Sequence, residues 1–151
     1  MTSQNDDLSL DEIRLVQDTF DRLWPTARTA ELFYARLFEI APSIRSMFRN
    51  VPHMGQQGDK FTATLAMLIW SLDDQTKLLP AIEMLAKQHV HYGVQPAHYA
   101  TLGQALMWTL EHRLDRDWTD ATAAAWARAY GMLSRHMIEH ACGANNRDNP
   151  E

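Results

Sequence analysis

Hydrophobic residues recur along almost the whole chain at intervals of three and four positions, and no stretch shows a convincing alternation of apolar and polar residues. Such intervals, which average 3.6 residues, predict α-helices. Ser9 and Glu12 have the spacing of a capping box, so the first helix is expected to begin there. Its buried face is predicted to consist of Ile13, Val16, Phe20 and Leu23.

Proline and glycine residues divide this pattern into separate helices. Pro25 stands where a second helix can begin, and Pro42 interrupts that helix before a short segment that runs through Phe48. A loop is predicted at 49–58, which contains Pro52, Gly55 and Gly58. A third long helix is expected from about residue 55 to residue 71, so the two predictions overlap at 55–58. The apolar faces of these two helices are predicted to be Ala30, Phe33, Tyr34, Leu37 and Phe38, and then Phe61, Leu65, Leu68 and Leu72.

Three further helices are predicted in the second half of the chain. The first ends its apolar face at His89, and Gly93 follows as a helix C-cap would. Pro96 opens the next helix, and Thr119 with Asp120 caps the last one. Without a sustained heptad repeat, six or more helices of unequal length favour crossed packing. The predicted inward residues are Leu78, Leu79, Ile82, Leu85 and Ala86, then Leu102, Leu106 and Leu110, then Trp126, Tyr130, Leu133 and Met137.

The amino-acid composition is typical of an ordinary globular protein. Its 151 residues fit a single domain, residues 1–151, with polar ends at about 1–8 and 143–151. The net charge of −5 argues against broad affinity for nucleic acid or anionic membrane. One cysteine, Cys142, excludes an internal disulfide and suits a reducing compartment. The polar N-terminus does not resemble a signal peptide, so a soluble cytoplasmic protein is expected.

His89 continues the apolar face of its predicted helix, although the imidazole ring is polar. A histidine in such a position is most often a hydrogen-bonded core residue, and the less frequent alternative is a metal ligand. A zinc site would need a second and a third ligand, for which the pattern offers no partners. Haem needs one axial imidazole, because the porphyrin supplies four nitrogens to the iron. On this pattern alone, both alternatives stay open.

Tyr34 and Gln57 are also polar residues on apolar faces. Gln57 lies four residues before Phe61 on the same helix face, whereas a register with Gln56 inward would also bury Lys60 at a high cost in free energy. Taken singly, a buried tyrosine is most often a packing residue with a satisfied hydroxyl, and a glutamine at a helix start is most often exposed. The pattern places both side chains inward without assigning them a role.

The segment from residue 78 to residue 94, LLPAIEMLAKQHVHYGV, resembles the proximal helix of bacterial globins, which include flavohaemoglobins and the related single-domain haemoglobins. Five short motifs in the globin order cover about residues 10–140. The resemblance implies an all-α globin fold of six to eight helices, packed crosswise around a haem pocket. The other motifs are 33–38 (FYARLF), Ala41-Pro42 with Phe48, His98-Tyr99 with Leu102-Gly103, and Ala125-Trp126 with Ala129-Tyr130-Gly131.

The resemblance also implies roles for single residues. His89 would be the proximal ligand of the iron of haem b. Tyr34 and Gln57 would form the polar pair on the distal side, and Phe61 would lie over the iron. The other implied haem contacts are Phe48 on the porphyrin, Tyr99 on the proximal side, Leu65, Leu85, Val94 and Leu102.

The function that the resemblance implies is reversible binding of dioxygen, as in oxygen transport, with carbon monoxide and nitric oxide as further ligands. One alternative is a nitric oxide dioxygenase. Because 151 residues leave no room for the flavin and nicotinamide domains of a flavohaemoglobin, that enzyme would depend on a separate reductase. A gas sensor or a haem-free module is the other alternative. Flavohaemoglobins usually carry a proximal glutamate where this chain has Ala141, which predicts a less peroxidase-like iron.

Four other histidines are expected to lie outside the haem pocket. His136 and His140 are four residues apart, but they lack a third metal ligand and belong to a predicted solvated face. His53 is expected to be an exposed loop residue, with a swing towards the iron as the alternative. His91 is two residues from His89 and therefore on another face of the helix.

Overall fold

The computed structural model describes residues 8–23, 27–48 and 53–148, without the side chains of Ala27 and of residues 141–148. These residues form seven α-helices and two short 3-10 turns at Ser46–Phe48 and Asp115–Asp117. The all-α class and the predicted range of helix number are confirmed. The helices are α1 (Leu10–Leu23), α2 (Ala27–Ile40), α3 (Pro42–Arg45), α4 (Met54–Ile69), α5 (Gln75–His91), α6 (Pro96–Leu114) and α7 (Asp120–Asp148).

Some of the predicted features lie outside the described residues. Pro25 and Pro52 fall in the two gaps between the described ranges, and residues 1–7 precede the first range. The side chains of Ala141 and Cys142 are likewise not described. The expectations attached to these positions stay predictions.

The caps of three helices follow the sequence pattern. The backbone N–H of Ser9 donates to Glu12 Oε1 at 2.9 Å and the N–H of Glu12 donates to Ser9 Oγ at 3.1 Å, which is a reciprocal capping box. Pro96 is at the start of α6, where its missing N–H costs no hydrogen bond. Thr119 Oγ1 accepts from the N–H of Thr122 at 3.1 Å and so caps α7.

Gly93 ends α5 as predicted, and its backbone explains why. Its φ of 89° lies in the left-handed region that favours glycine. The N–H of Val94 donates to the carbonyl of His89 at 2.9 Å, and the N–H of Gly93 donates to the carbonyl of Val90 at 3.0 Å. These two bonds are those of a Schellman motif. The turn therefore ties Val94 to the helical turn that carries His89.

Two details of the predicted pattern are wrong. The predicted loop at 49–58 extends too far, because α4 begins at Met54, close to the predicted helix start at about residue 55, and includes both Gly55 and Gly58. Gly58 packs against α2, where an added Cβ would lie 3.1 Å from the Cβ of Ala30. Leu79 was expected inside but is 41% exposed. Its neighbour Leu78 takes the inward position, and the next residue of a helix points about 100° away.

The helices pack with partners that are distant in the sequence. The main pairs are α2 with α6, α5 with α7, α1 with α7 and α2 with α4. By contrast, the consecutive helices α4 and α5 touch little. A cavity lies between these two helices, and it contains the candidate site. Among the described residues, no helix is long and apolar enough to cross a membrane.

Candidate functional site

A cavity of about 440 Å³ is lined by α2, by the segment 44–48 and by helices α4 to α7. Its size falls within the range of roughly 300–1,000 Å³ that is typical of small-molecule and cofactor sites. Most of its lining is apolar. All ten residues that the sequence suggested as haem contacts border it, namely Tyr34, Phe48, Gln57, Phe61, Leu65, Leu85, His89, Val94, Tyr99 and Leu102.

We call the part of the lining that comes from α2, segment 44–48 and α4 the distal wall. Two polar side chains meet there, Tyr34 from α2 and Gln57 from α4. Gln57 Nε2 donates a hydrogen bond to the Tyr34 hydroxyl oxygen at 3.3 Å. Burial raises the pKa of Tyr34, and the hydrogen bond from Gln57 opposes this shift in part. The phenol therefore stays protonated at neutral pH, and its own hydrogen is available to a partner in the cavity.

Aromatic rings hold Tyr34 in place. The rings of Phe33 and Phe61 stack with centroids 4.5 Å apart and an interplanar angle of 5°. The ring of Tyr34 meets Phe48 edge to face at 5.5 Å and Phe61 at 5.8 Å. Both arrangements are among the preferred aromatic geometries. The distal wall thus presents the Tyr34 hydroxyl and the Gln57 amide among mostly apolar side chains, and Lys60 and Thr64 of α4 are its other polar residues.

We call the part of the lining that comes from α5, α6 and α7 the proximal wall. His89 Nδ1 lies 2.8 Å from the carbonyl oxygen of Leu85, one turn earlier in α5. A carbonyl can only accept, so Nδ1 carries the hydrogen and Nε2 keeps its lone pair. Burial lowers the pKa of His89, and the hydrogen bond to Leu85 opposes this shift. The result is a neutral imidazole with a free nitrogen, which is the form that binds metals.

Two tyrosines support the proximal wall. The ring of Tyr99 lies beside the imidazole of His89, with centroids 6.1 Å apart and an interplanar angle of 21°. The hydroxyl of Tyr130 in α7 donates to the backbone carbonyl of Tyr99 at 2.6 Å. Burial raises the pKa of Tyr99, and burial together with the nearby Tyr99 raises that of Tyr130. Both phenols therefore stay protonated at neutral pH.

Several cavity residues were not foreseen from the sequence. Tyr130 was predicted to be a core residue but borders the cavity, and no local pattern pairs it with Tyr99. Lys60, which was not expected on the inward face, is exposed and still borders the cavity. His98 and Gln88 also line it. These positions depend on how separate helices approach one another, which periodicity does not reveal.

The other histidines that the sequence singled out do not line the cavity. His53 and His91 are exposed, and His91 contacts the neighbouring ring of Tyr92. His136 Nδ1 lies 3.8 Å from Glu139 Oε1 on the surface of α7. No group of three histidine, cysteine or carboxylate side chains within the described ranges could hold a bare metal ion.

The residues of the cavity fit haem. A flat apolar ring suits the apolar lining, and a single free imidazole nitrogen suits an iron that the porphyrin already holds by four nitrogens. Lys60 and His98 offer cationic or donor groups to the carboxylates of such a ring. The hydrogen bond from His89 to Leu85 is the kind of support that a ligating histidine usually receives.

Comparison with known proteins agrees with this geometry. The globin family model matches residues 31–137. A flavohemoprotein from Bordetella parapertussis is 37% identical over 108 residues, which is 70% of this chain and 27% of the relative. A flavohemoprotein from Rhodopirellula baltica is 29% identical over 133 residues, 87% of this chain and 33% of the relative. The chain thus spans about a quarter to a third of the length of these relatives.

A solved structure also shares the fold. The bacterial globin from Campylobacter jejuni superimposes with a TM-score of 0.81 at 21% identity, over 91% of this chain and 99% of the other. At 21% identity this likeness supports the fold alone. The family assignment rests on the globin model, which matches more than half of the chain. The chain therefore belongs to the globin family, a family of haem-binding proteins.

Proposed function

We propose that this globin holds haem b in the cavity through His89 and reversibly binds dioxygen, with carbon monoxide and nitric oxide as further ligands. The observation that supports this most is the pairing of two features across one cavity. A neutral imidazole with a free nitrogen belongs to the proximal wall, and a hydrogen-bonded Tyr34–Gln57 pair belongs to the distal wall. Haem, when bound, supplies an iron with one coordination position open to a diatomic gas.

On the proximal wall, the chain has to present one nitrogen in a fixed direction. The hydrogen bond from Nδ1 to the Leu85 carbonyl fixes the tautomer and makes the imidazole a stronger donor at Nε2. The lowered pKa of His89 keeps this nitrogen unprotonated at neutral pH. The Schellman turn at Gly93 holds the end of α5, so that His89 and Val94 keep their places in the lining.

On the distal wall, the chain stabilises a polarised ligand. The Tyr34 hydroxyl hydrogen and the second hydrogen of the Gln57 amide are donors in a mostly apolar cavity, where such bonds are stronger than in water. Donors that already stand in position need no reorganisation when a ligand gains negative charge. We therefore expect this pair to slow the loss of dioxygen.

Apolar residues complete the distal wall. Phe48, Phe61 and Leu65 line the cavity around the polar pair. Their side chains offer no hydrogen bonds to water, so a water molecule there would have few polar partners. Excluding water in this way is expected to slow oxidation of the iron.

Rates of dioxygen dissociation from the haem-loaded protein test the proposal. Tyr34→Phe and Gln57→Leu should each raise the dissociation rate by roughly three- to twentyfold, as expected for losing a hydrogen bond of about 1 kcal/mol or somewhat more. Thr64→Val is the matched control, because Thr64 lines the same cavity but is not one of the pair. Unchanged rates in both variants of the pair would contradict the proposed distal role.

The similarity to flavohemoproteins favours one second candidate, a nitric oxide dioxygenase that works with a separate reductase. Rapid mixing of the haem-loaded protein with dioxygen and nitric oxide separates the two functions. Formation of one nitrate per haem, with no turnover when a reductase and its reductant are supplied, supports gas binding. Sustained turnover under the same conditions would establish the enzyme instead.

A further inference from the structure

We propose that Phe33 limits the size of the ligand that the distal wall accepts, and that it does so by holding the ring of Phe61 in place. The immobile Phe61 ring leaves room for a diatomic gas beside the Tyr34–Gln57 pair and excludes bulkier ligands. The proposal rests on the proposed function, in which the gas accepts hydrogen bonds from that pair.

Phe61 lies between the two donors of the distal wall. Gln57 is one turn earlier in α4, on the same face of the helix. The ring of Tyr34 meets that of Phe61 at an interplanar angle of 64°, with centroids 5.8 Å apart. A ligand that accepts a hydrogen bond from Tyr34 or Gln57 therefore lies beside the Phe61 ring, and this ring limits the volume that the ligand can occupy.

Phe33 covers a face of the Phe61 ring. The two rings are parallel within 5°, with centroids 4.5 Å apart, and both border the cavity. Stacking of this kind stabilises a pair of rings beyond what the burial of their area provides. A rotation of Phe61 away from a large ligand would end the stack, so the displacement has a cost in free energy.

Phe33 itself has little freedom to move with Phe61. Its side chain is 3% exposed, and its ring meets that of Tyr34 at 69° with centroids 5.1 Å apart. Extra volume in a closely packed interior forces side chains out of their preferred positions. The stacked pair therefore resists a bulky ligand as one unit, although Phe33 belongs to α2 and Phe61 to α4.

Alkyl isocyanides are suitable probes, because they bind ferrous haem through a terminal carbon atom and differ in the size of the alkyl group. The measurement is the ratio of the dissociation constants of tert-butyl and methyl isocyanide for the haem-loaded ferrous protein. We expect tert-butyl isocyanide to bind the wild type roughly five- to hundredfold more weakly than methyl isocyanide. Phe33→Leu should lower this ratio by roughly two- to tenfold, because displacing Phe61 no longer ends a stack.

Phe61→Leu is the second variant, since it tests the same stack without changing the buried Phe33. We expect it to lower the ratio as well. Phe38→Leu is the matched control from α2, because the Phe38 ring meets those of Tyr34 and Phe48 and does not line the cavity. It should keep the wild-type ratio. An unchanged ratio in both Phe33→Leu and Phe61→Leu, or an equal fall in Phe38→Leu, would overturn the proposal.

Urea denaturation of the two single variants and of the double variant measures the stack without any ligand. We expect the double variant to lose less stability than the sum of the single losses, because the stack can be lost only once. Additive losses would overturn the role of Phe33 in holding Phe61.

Failure of this proposal is distinguishable from failure of the function on which it rests. A wild type that binds no carbon monoxide after haem is supplied would overturn the proposed function and the size limit together. Normal carbon monoxide binding, with the wild-type isocyanide ratio in both variants of the stack, would overturn the size limit alone.

Discussion

Three phenol side chains lie in or beside the cavity, those of Tyr34, Tyr99 and Tyr130. Each has a higher pKa in the folded chain than in water. Burial raises the pKa of all three above the ordinary value of 10.0. Below pH 10 the folded and unfolded chains hold these protons alike, so stability is at its full value. As pH rises through 10 towards the folded pKa values, the unfolded chain loses protons first and stability falls.

This linkage predicts a loss of stability in alkali that depends on buried tyrosine. The free energy of unfolding, measured with urea at a series of pH values, should decline above pH 10. Tyr130→Phe should flatten the decline, although it lowers stability at neutral pH by about 1 kcal/mol through the lost hydrogen bond. Tyr92→Phe, which changes a ring that is 69% exposed, is the control and should leave the slope unchanged. A slope in Tyr130→Phe equal to that of the wild type would contradict the linkage.

At the scale of helices, the distal pair depends on the crossing of α2 and α4. Tyr34 and Gln57 come from these two helices and are 23 residues apart in the chain. The helices approach closely at Gly58, which faces the Cβ of Ala30. A larger residue at this crossing would separate the helices and lengthen the hydrogen bond between Gln57 and Tyr34.

Two glycines of α4 provide a direct test of this crossing. Gly58→Leu should lower the free energy of unfolding by about 1–3 kcal/mol, because extra side-chain volume is forced into a packed interface. Gly55→Leu, in the same helix, meets no atom within 4 Å at its Cβ and should be neutral or slightly stabilising. Urea denaturation of both variants measures the difference. Equal stabilities would show that the crossing tolerates volume and that Gly58 has no packing role.

The sequence predicted where helices begin and end better than it predicted which helices contact one another. Local signals such as the Ser9–Glu12 capping box, Gly93 after α5 and Pro96 before α6 recur in the structure, because they act within one turn of the chain. The predicted loop and the predicted helix overlapped at Gly58, because a glycine that serves close helix packing has the same local pattern as one that breaks a helix. The partner that distinguishes them, Ala30, is distant in the sequence.

At the scale of the whole molecule, the chain builds one cavity from helices that meet out of sequence order. Periodicity and the resemblance to globins suggested ten lining residues, and all ten border the cavity. Tyr130 and Lys60 were missed as lining residues, because their positions depend on the arrangement of α4, α6 and α7 together. Among these residues, His89 matters most for the proposed function, because its free nitrogen belongs to the proximal wall.

Chemical rescue of His89→Gly tests that claim most directly. The variant removes the imidazole and leaves a space of the same shape in the proximal wall. The absorption spectrum of the ferrous protein, recorded after haem is supplied with and without free imidazole, is the measurement. His91→Gly is the matched control, because His91 is exposed at the end of the same helix. We predict that His89→Gly loses the haem spectrum, that imidazole restores it, and that His91→Gly behaves like the wild type. A His89→Gly variant with the wild-type spectrum in the absence of imidazole would contradict the account.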